Sequence, residues 1–256
     1  MRYKIILSYD GSDFCGWQMQ NDAKTIQECL QGALSTLLKE EIAVTGAGRT
    51  DSKVNAINYA AHFDTSVQDL DAAGFGYKIN AILPHGIKVH DIVPVAPDFH
   101  SRFDARQSEY KYFIHRKKDP FMGRYSYQYT FPLDVEAMNE AAGYLLGTHD
   151  FSCFEKVGSD NKTSICTVTA ARWDTYTPDH VRLMGYPCEE GDYLVFTIRA
   201  DRFLRNMVRA VVGSLLEIGR GRRDKEWMAT LVMGGSRSEA GESVPGNSLF
   251  LTKVEY

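Results

Sequence analysis

The stretch Gly46-Ala47-Gly48-Arg49-Thr50-Asp51-Ser52-Lys53-Val54-Asn55-Ala56 lies between two apolar-rich segments, residues 41–45 and residues 57–63. Both flanks have the composition of short strands, so the glycines and charged residues fall on the loop that joins them. Loops held by a rigid sheet often carry chemistry. An arginine two residues before an aspartate can keep that carboxylate ionised and directed outward. An isolated Arg-Thr-Asp is more often a hairpin turn whose aspartate caps its own backbone, so the rest of the chain has to decide between the two interpretations.

The composition is that of a core-forming soluble protein, with 256 residues of which 44% are apolar and 24% are charged. A chain of this length forms one large domain or two small ones. Residues 1–10 have a strand pattern and lack the apolar run of a signal peptide. No stretch approaches the roughly 20 apolar residues of a membrane span. We therefore expect a cytoplasmic protein.

The cysteines and histidines give no sign of a metal site. The five cysteines and seven histidines are scattered, without C-x-x-C or H-E-x-x-H spacing. We therefore expect no metal, and most cysteines should be reduced core or boundary residues. Walker-type and G-x-G-x-x-G patterns are also missing, so we expect no nucleotide cofactor.

The charge is unevenly distributed along the chain, although the net charge is only −4. Residues 199–225 hold eight Lys and Arg against three acids, and residues 100–118 hold six against two. A polarised surface with two basic segments fits this pattern, which is typical of nucleic-acid binding or of a solvated charged face.

The predicted elements occur in two similar series. The first has strands at 2–10, 41–45, 57–63 and 87–95, with helices from Thr25 and at 69–83. The second has strands at 110–115, 165–173, 193–200 and 249–254, with helices at 133–146, 203–218 and 224–233. This order predicts an α+β protein with two ferredoxin-like halves, residues 1–105 and 106–256, whose antiparallel sheets flank a central cleft of the kind in which ligand sites form.

The predicted helix at 203–218 carries an unusual pair of arginines. Arg205 and Arg209 have i, i+4 spacing, which would place one above the other on the helix surface. Two arginines side by side predict an anionic partner, either a carboxylate from elsewhere or a phosphate.

In sequence order, these features resemble the tRNA pseudouridine synthases of the TruA family. Five segments carry the resemblance: Tyr9-Asp10-Gly11-Ser12-Asp13-Phe14-Cys15-Gly16-Trp17-Gln18, Thr25-Ile26-Gln27-Glu28, Gly48-Arg49-Thr50-Asp51, Phe99-His100-Ser101-Arg102-Phe103 and Met207-Val208-Arg209-Ala210-Val211-Val212-Gly213. Each segment alone is weak, but the set in this order is specific and favours a catalytic role for Asp51.

The resemblance implies that uridine is isomerised to pseudouridine in the anticodon stem-loop of tRNA, at positions 38, 39 and 40. It makes Asp51 the nucleophile or base, with Arg209 holding its carboxylate ionised. Tyr110 would stack on the base and is a candidate for removing the C5 proton. Arg49 would help to displace the base, while Arg102 and Arg205 would contact RNA. The resemblance also implies a homodimer that binds tRNA and needs no cofactor.

The chain departs from the family pattern next to the predicted site. The family loop usually continues G-R-T-D-A-G-V-H-A, whereas this chain has Ser52-Lys53-Val54-Asn55-Ala56. If the glycine position requires a positive φ, Lys53 would strain it by about 1 kcal/mol. Asn55 replaces a histidine that could act as a donor. Ser108 stands where an arginine is usual.

Two other functions stay open at this stage. One is an RNA-binding member of the family with an altered target or little turnover, although a binding protein would not need Asp51, Tyr110 and Arg209 together. The other is a hydrolase that uses Asp51, such as a phosphatase or glycosidase. The sequence counts against it, because metal ligands and a second carboxylate in the same motif are both missing.

Overall fold

The computed structural model describes residues 1–159 and 161–256, which form two compact units. The first unit contains Met1–Gln107 together with Phe250–Tyr256, and the second contains Ser108–Leu249. The closing strand therefore belongs to the first unit, whereas the sequence division placed it in the second half. The chain mixes helices and sheet as an α+β protein does, in agreement with the predicted class.

The elements of the first unit from β1 to β4 have the order that the sequence predicts, and the closing strand is added to them. Its elements are β1 (Arg2–Tyr9), α1 (Ile26–Leu38), β2 (Val44–Gly46), β3 (Asn55–Asp64), α2 (Ala72–Ile82), β4 (Ile87–Val95) and the closing strand β10 (Leu249–Glu255). Strand β1 lies between β3 and β4 and is antiparallel to both. The short β2 is antiparallel to β3, and β10 is parallel to β3. This arrangement places the loop between β2 and β3 at the end of the central strands.

Alternating burial along β1 explains how this sheet holds its helices. Tyr3, Ile5, Leu7 and Tyr9 point into the core, and the residues between them are more exposed. Helix α1 begins as predicted, because the Thr25 side chain accepts a hydrogen bond from the Glu28 N–H at 3.3 Å.

The second unit contains elements that the sequence pattern did not indicate. Its elements are β5 (Gln107–His115), β6 (Tyr127–Gln128), α3 (Val135–Gly143), β7 (Gly147–Asp150), β8 (Ile165–Thr175), α4 (Asp179–Met184), β9 (Tyr193–Ala200), α5 (Met207–Gly219) and α6 (Glu226–Leu231). The strands β5, β9, β8 and β7 are neighbours in that order and are antiparallel, while β6 is parallel to β5. The short elements β6, β7 and α4 are the ones that the sequence pattern did not predict.

Helix α5 begins later than predicted, and this corrects the arginine pair. Asn206 has φ +71°, a left-handed conformation that cannot continue an α-helix backward, so the helix begins at Met207 rather than near Phe203. Arg205 therefore precedes the helix, and the predicted stacking of Arg205 on Arg209 is wrong. The helix is buried around most of its circumference instead of along one face.

The cysteines lie in different environments. Cys153 and Cys166 are buried, and burial raises the pKa of the Cys166 thiol to about 12. Cys29 is half-buried, whereas Cys15 and Cys188 are exposed. Three of the five cysteines therefore lie in the core or at its boundary, which confirms the prediction for most of them. Among the helices of the described residues, none has the length and apolar character needed to span a membrane.

Candidate active site

Residues 47–54, here called the Asp51 loop, join β2 to β3 and are held by backbone hydrogen bonds. The carbonyl of Thr50 accepts from the Trp17 N–H at 3.1 Å, and the carbonyl of Phe14 accepts from the Lys53 N–H at 3.2 Å. The loop also closes on itself, since the Val54 N–H donates to the Asp51 carbonyl at 3.2 Å. The carboxylate of Asp51 thus sits on a backbone fixed on both sides, and its residue is half-buried.

Two glycines of residues 9–18, here called the opening motif, let that motif lie directly against the Asp51 loop. A Cβ on Gly11 would lie 2.1 Å from the Val54 carbonyl oxygen, and one on Gly16 would lie 2.4 Å from the Thr50 carbonyl oxygen. Neither position has room for a side chain, and Gly16 also has φ +87°. The glycine pair of the opening motif is therefore a structural requirement of this loop.

The start of α1 fastens the opening motif from the other side. The N–H groups of Ile26 and Gln27 donate to the carbonyls of Gly16 and Trp17, at 3.2 and 3.0 Å. The Gln27 amide also donates to the Val44 carbonyl at 2.8 Å, which ties the helix to β2. Three of the segments that suggested the family therefore form one support around Asp51.

The two unusual residues of the loop have different structural roles. Lys53 has φ +66°, so the left-handed position that the sequence comparison suggested is present and is occupied by a residue with a Cβ. Asn55 is only 1% exposed, and its side-chain oxygen accepts a hydrogen bond from the Gly11 N–H at 2.8 Å. Asn55 therefore links β3 to the opening motif as an acceptor.

The remaining predicted residues of the first unit lie on exposed backbone. Arg49 is exposed on the Asp51 loop. Arg102 is exposed on the turn after β4, where its guanidinium lies 5.8 Å from the centre of the exposed Phe103 ring. The backbone N–H groups of Arg102 and Phe103 donate to His100 Nδ1, which fixes this turn.

Tyr110 and Arg209 both belong to the second unit. Tyr110 is buried on β5, with the Phe203 ring edge-on at 5.0 Å between centroids. Arg209 is half-buried in the first turn of α5, and its Nε donates to the Val244 carbonyl at 2.7 Å. The placement of these two side chains against Asp51 stays a prediction.

The segment behind α5 holds Arg209 in place. The Val244 N–H donates back to the Arg209 carbonyl at 3.3 Å, and a Cβ on Gly213 would lie 1.8 Å from the Glu242 carbonyl oxygen. The glycine that ends the M-V-R-x-x-V-G pattern therefore allows close packing against residues 241–244, which fixes the helix that carries Arg209.

Part of the predicted basic surface is neutralised by ion pairs. Arg199 donates from Nε to Glu109 at 2.6 Å, and the two residues are cross-strand partners on β9 and β5. Arg222 pairs with Glu217, and Lys225 pairs with Glu140. The excess of eight Lys and Arg over three acids in residues 199–225 therefore overstates the positive charge that is open to an anion. Arg205 is exposed and has no ion pair among the described residues.

Two tyrosines that the sequence pattern did not single out contact the Asp51 loop. Tyr9 hydrogen-bonds the Thr50 hydroxyl at 2.9 Å, and the Tyr59 hydroxyl bonds to both backbone groups of Gly48. The signal for Tyr9 was present, since it opens the first motif. Tyr59 carried no local signal, because its contact depends on the pairing of β3.

Within residues 1–159 and 161–256, no group of His, Cys, Asp and Glu side chains could hold a metal ion.

Comparison with known proteins identifies the family. A family model described as tRNA pseudouridine synthase matches residues 141–256. All of the chain aligns with proteins named tRNA pseudouridine synthase A: it is 45% identical to that of Bacteroides fragilis, 46% to that of Bacteroides thetaiotaomicron and 44% to that of Parabacteroides distasonis. It covers 96%, 90% and 96% of those proteins.

One solved structure, described as the crystal structure of a Cbf5-Nop10-Gar1 complex, matches 97% of this chain and 57% of the other chain at 10% identity. Its TM-score of 0.33 is too low to establish a shared fold. The full-length relatives confirm the resemblance that the five segments indicated. The chain therefore belongs to the TruA family of tRNA pseudouridine synthases.

Proposed function

We propose that this chain isomerises uridine to pseudouridine in the anticodon stem-loop of tRNA, at positions 38, 39 and 40, with Asp51 as the nucleophile or base. One observation carries the assignment of Asp51. Backbone hydrogen bonds at Thr50 and Lys53 hold the loop on either side of Asp51. Asp51 itself is only half-buried, so part of the residue is exposed to solvent. A carboxylate on a fixed backbone can meet a substrate with little reorganisation.

The proposed reaction breaks the N1–C1′ bond, turns the base within the site and joins C1′ to C5. The C5 proton leaves and N1 gains a proton, so the product is an isomer and no oxidant or reductant is consumed. Asp51 acts in its ionised form, and Arg209 favours that form by its positive charge. Tyr110 stacks on the base and is the candidate acceptor of the C5 proton.

The target base has to leave its stack before it can rotate, which costs a few kcal/mol. Arg49 is exposed on the Asp51 loop and helps to displace the base. Arg102 and Arg205 are also exposed, and they contact tRNA phosphates. These side chains set the affinity for RNA, while Asp51 sets the chemistry.

We further infer that the first unit is ferredoxin-like. Its elements run β-α-β-β-α-β, and the neighbours along its strands are β4, β1, β3 and β2. We extend the inference to a second ferredoxin-like half, to a cleft that takes RNA and to a homodimer. Sedimentation of the protein with and without tRNA tests the homodimer, which is overturned if the free protein sediments as a monomer at micromolar concentration.

The central experiment is Asp51→Ala, assayed for pseudouridine in a tRNA transcript. We expect no product, with tRNA affinity kept within about tenfold. Asp91→Ala is a matched control, because it removes an exposed carboxylate from β4 and should leave turnover unchanged. Unchanged turnover in Asp51→Ala would remove Asp51 from the mechanism. Tight tRNA binding by a wild-type protein that forms no product would favour the RNA-binding alternative.

A further inference from the structure

Two buried tyrosine hydroxyls hold the Asp51 loop on either side of Arg49. The hydroxyl of Tyr59, on β3, accepts from the Gly48 N–H at 3.3 Å and donates to the Gly48 carbonyl. The hydroxyl of Tyr9, at the end of β1, hydrogen-bonds the Thr50 hydroxyl at 2.9 Å. Gly48 and Thr50 are thus tied to the sheet, while Arg49 between them is exposed.

The Tyr59 ring has little freedom to move. It is 0% exposed, and the Trp17 ring lies against it with 4.3 Å between centroids. The Tyr9 ring lies 5.6 Å away on another side. A Cβ on Gly46 would come within 2.1 Å of the Tyr59 oxygen and 2.6 Å of the Trp17 ring. The hydroxyl is therefore placed by packing on several sides.

We propose that Tyr59 is a positioning residue for the isomerisation. By bonding to both backbone groups of Gly48, its hydroxyl sets the course of the loop through Arg49 to Asp51, and so aims both side chains at the target uridine. This inference rests on the proposed function of Asp51. Displacements of about 1 Å in a reacting group can reduce a rate by about a hundredfold. The loss of the hydroxyl should therefore affect the reaction rate much more than RNA binding.

Tyr59→Phe tests the proposal, because it keeps the ring and its packing and removes only the hydroxyl. We expect the single-turnover rate of pseudouridine formation at saturating enzyme to fall by about tenfold or more. We expect the dissociation constant for tRNA to change by less than about twofold. In steady state the loss should therefore appear in kcat, with KM nearly unchanged.

Tyr3→Phe is the matched control. Tyr3 is also a buried tyrosine of the first unit, and its hydroxyl accepts a hydrogen bond from the Leu70 N–H at 3.2 Å, away from the Asp51 loop. Both variants lose one buried hydroxyl that bonds to the backbone, so both should lower the urea midpoint to a similar extent. Only Tyr59→Phe should lower the rate.

A wild-type single-turnover rate in Tyr59→Phe overturns the proposal, as does an equal loss of rate in Tyr3→Phe. The proposed function is tested separately by the wild-type protein and Asp51→Ala. If the wild type forms pseudouridine, Asp51→Ala does not and Tyr59→Phe is unimpaired, then only the positioning role fails. If Asp51→Ala turns over normally, the mechanism on which the positioning role rests fails as well.

Discussion

Replacing Gly16 by alanine perturbs the contact between the opening motif and the Asp51 loop. The added Cβ would lie 2.4 Å from the Thr50 carbonyl oxygen and 3.0 Å from the Asp51 carbonyl carbon. These are backbone atoms, so the clash cannot be relieved by a change of rotamer. The residue also has φ +87°, which is unfavourable for any residue that carries a Cβ.

The magnitude follows from these two effects. A left-handed conformation costs an L-residue about 1–2 kcal/mol, and an overpacked methyl group costs about 1–3 kcal/mol. Because a shift of the loop relieves part of the clash, we expect Gly16→Ala to lower the free energy of unfolding by about 3 kcal/mol. The same shift moves Asp51, so pseudouridine formation should fall as well.

Urea unfolding followed by tryptophan fluorescence measures the change, with Gly32→Ala as the control. Gly32 lies on the exposed face of α1, and a Cβ there would meet no atom within 4 Å. This alanine should raise the free energy of unfolding by about 0.5–1 kcal/mol, because glycine is unfavourable in a helix. One chemical change is therefore expected to have opposite signs at two sites.

Equal unfolding midpoints for Gly16→Ala and the wild type would refute the reasoning. They would mean that the loop accommodates a methyl group at no cost, so that the opening motif does not determine its position. A normal reaction rate in a destabilised Gly16→Ala would refute the second step, in which the position of the loop controls the chemistry.

Three further predictions concern single side chains. Lys53 has φ +66°, so Lys53→Gly should raise the free energy of unfolding, measured with urea, by about 0.5–1 kcal/mol. Lys39→Gly, at a residue with φ +58°, should give the same gain without affecting activity. No gain at either position would contradict the proposed backbone strain. Burial and neighbouring positive charge hold the pKa of His62 below its usual value. As pH falls through about 6.5, the pKa of an unfolded histidine, the unfolded chain takes up a proton that the folded protein does not. The folded state therefore loses stability as pH falls below that value. The urea midpoint measured at about pH 7.5 and about pH 5.5 should therefore differ less in His62→Gln than in the wild type, and an equal difference would exclude His62 as a source. Arg205→Ala should weaken tRNA binding and reduce the slope of log affinity against log salt by about one. Arg182→Ala removes an exposed arginine that pairs with Asp179, and it should leave the affinity and the slope unchanged. Equal effects of the two variants would argue against a specific phosphate contact at Arg205.

Local sequence signals were reliable where the residues that determine a structural feature lie within the same short segment. The cap of α1 was predicted from Thr25 and Glu28, and the structure has that hydrogen bond. The order of the elements from β1 to β4 was also predicted correctly, because apolar periodicity follows directly from burial on one face. Helix α5 shows where such signals fail. Its apolar pattern extends back to Leu204, but the left-handed conformation of Asn206 makes the helix begin at Met207.

The charge count failed for a related reason. Residues 199–225 appeared strongly basic as a linear segment, but the register of β9 against β5 places Glu109 opposite Arg199. The two residues are 90 positions apart, so no window of the sequence contains the pair. Ion pairs of this kind change which arginines are open to RNA without changing the composition.

By itself, the sequence determined the family, the α+β class and Asp51 as the residue to test, because these depend on residue types at fixed short spacings. Only the tertiary structure decided how the Asp51 loop is held. Gly11 and Gly16 lie against it, Asn55 ties it to the opening motif, and Tyr59 bonds to Gly48. These contacts join segments separated in the chain, and they form only when β1 and β3 pair in one register and the opening motif folds back over the loop.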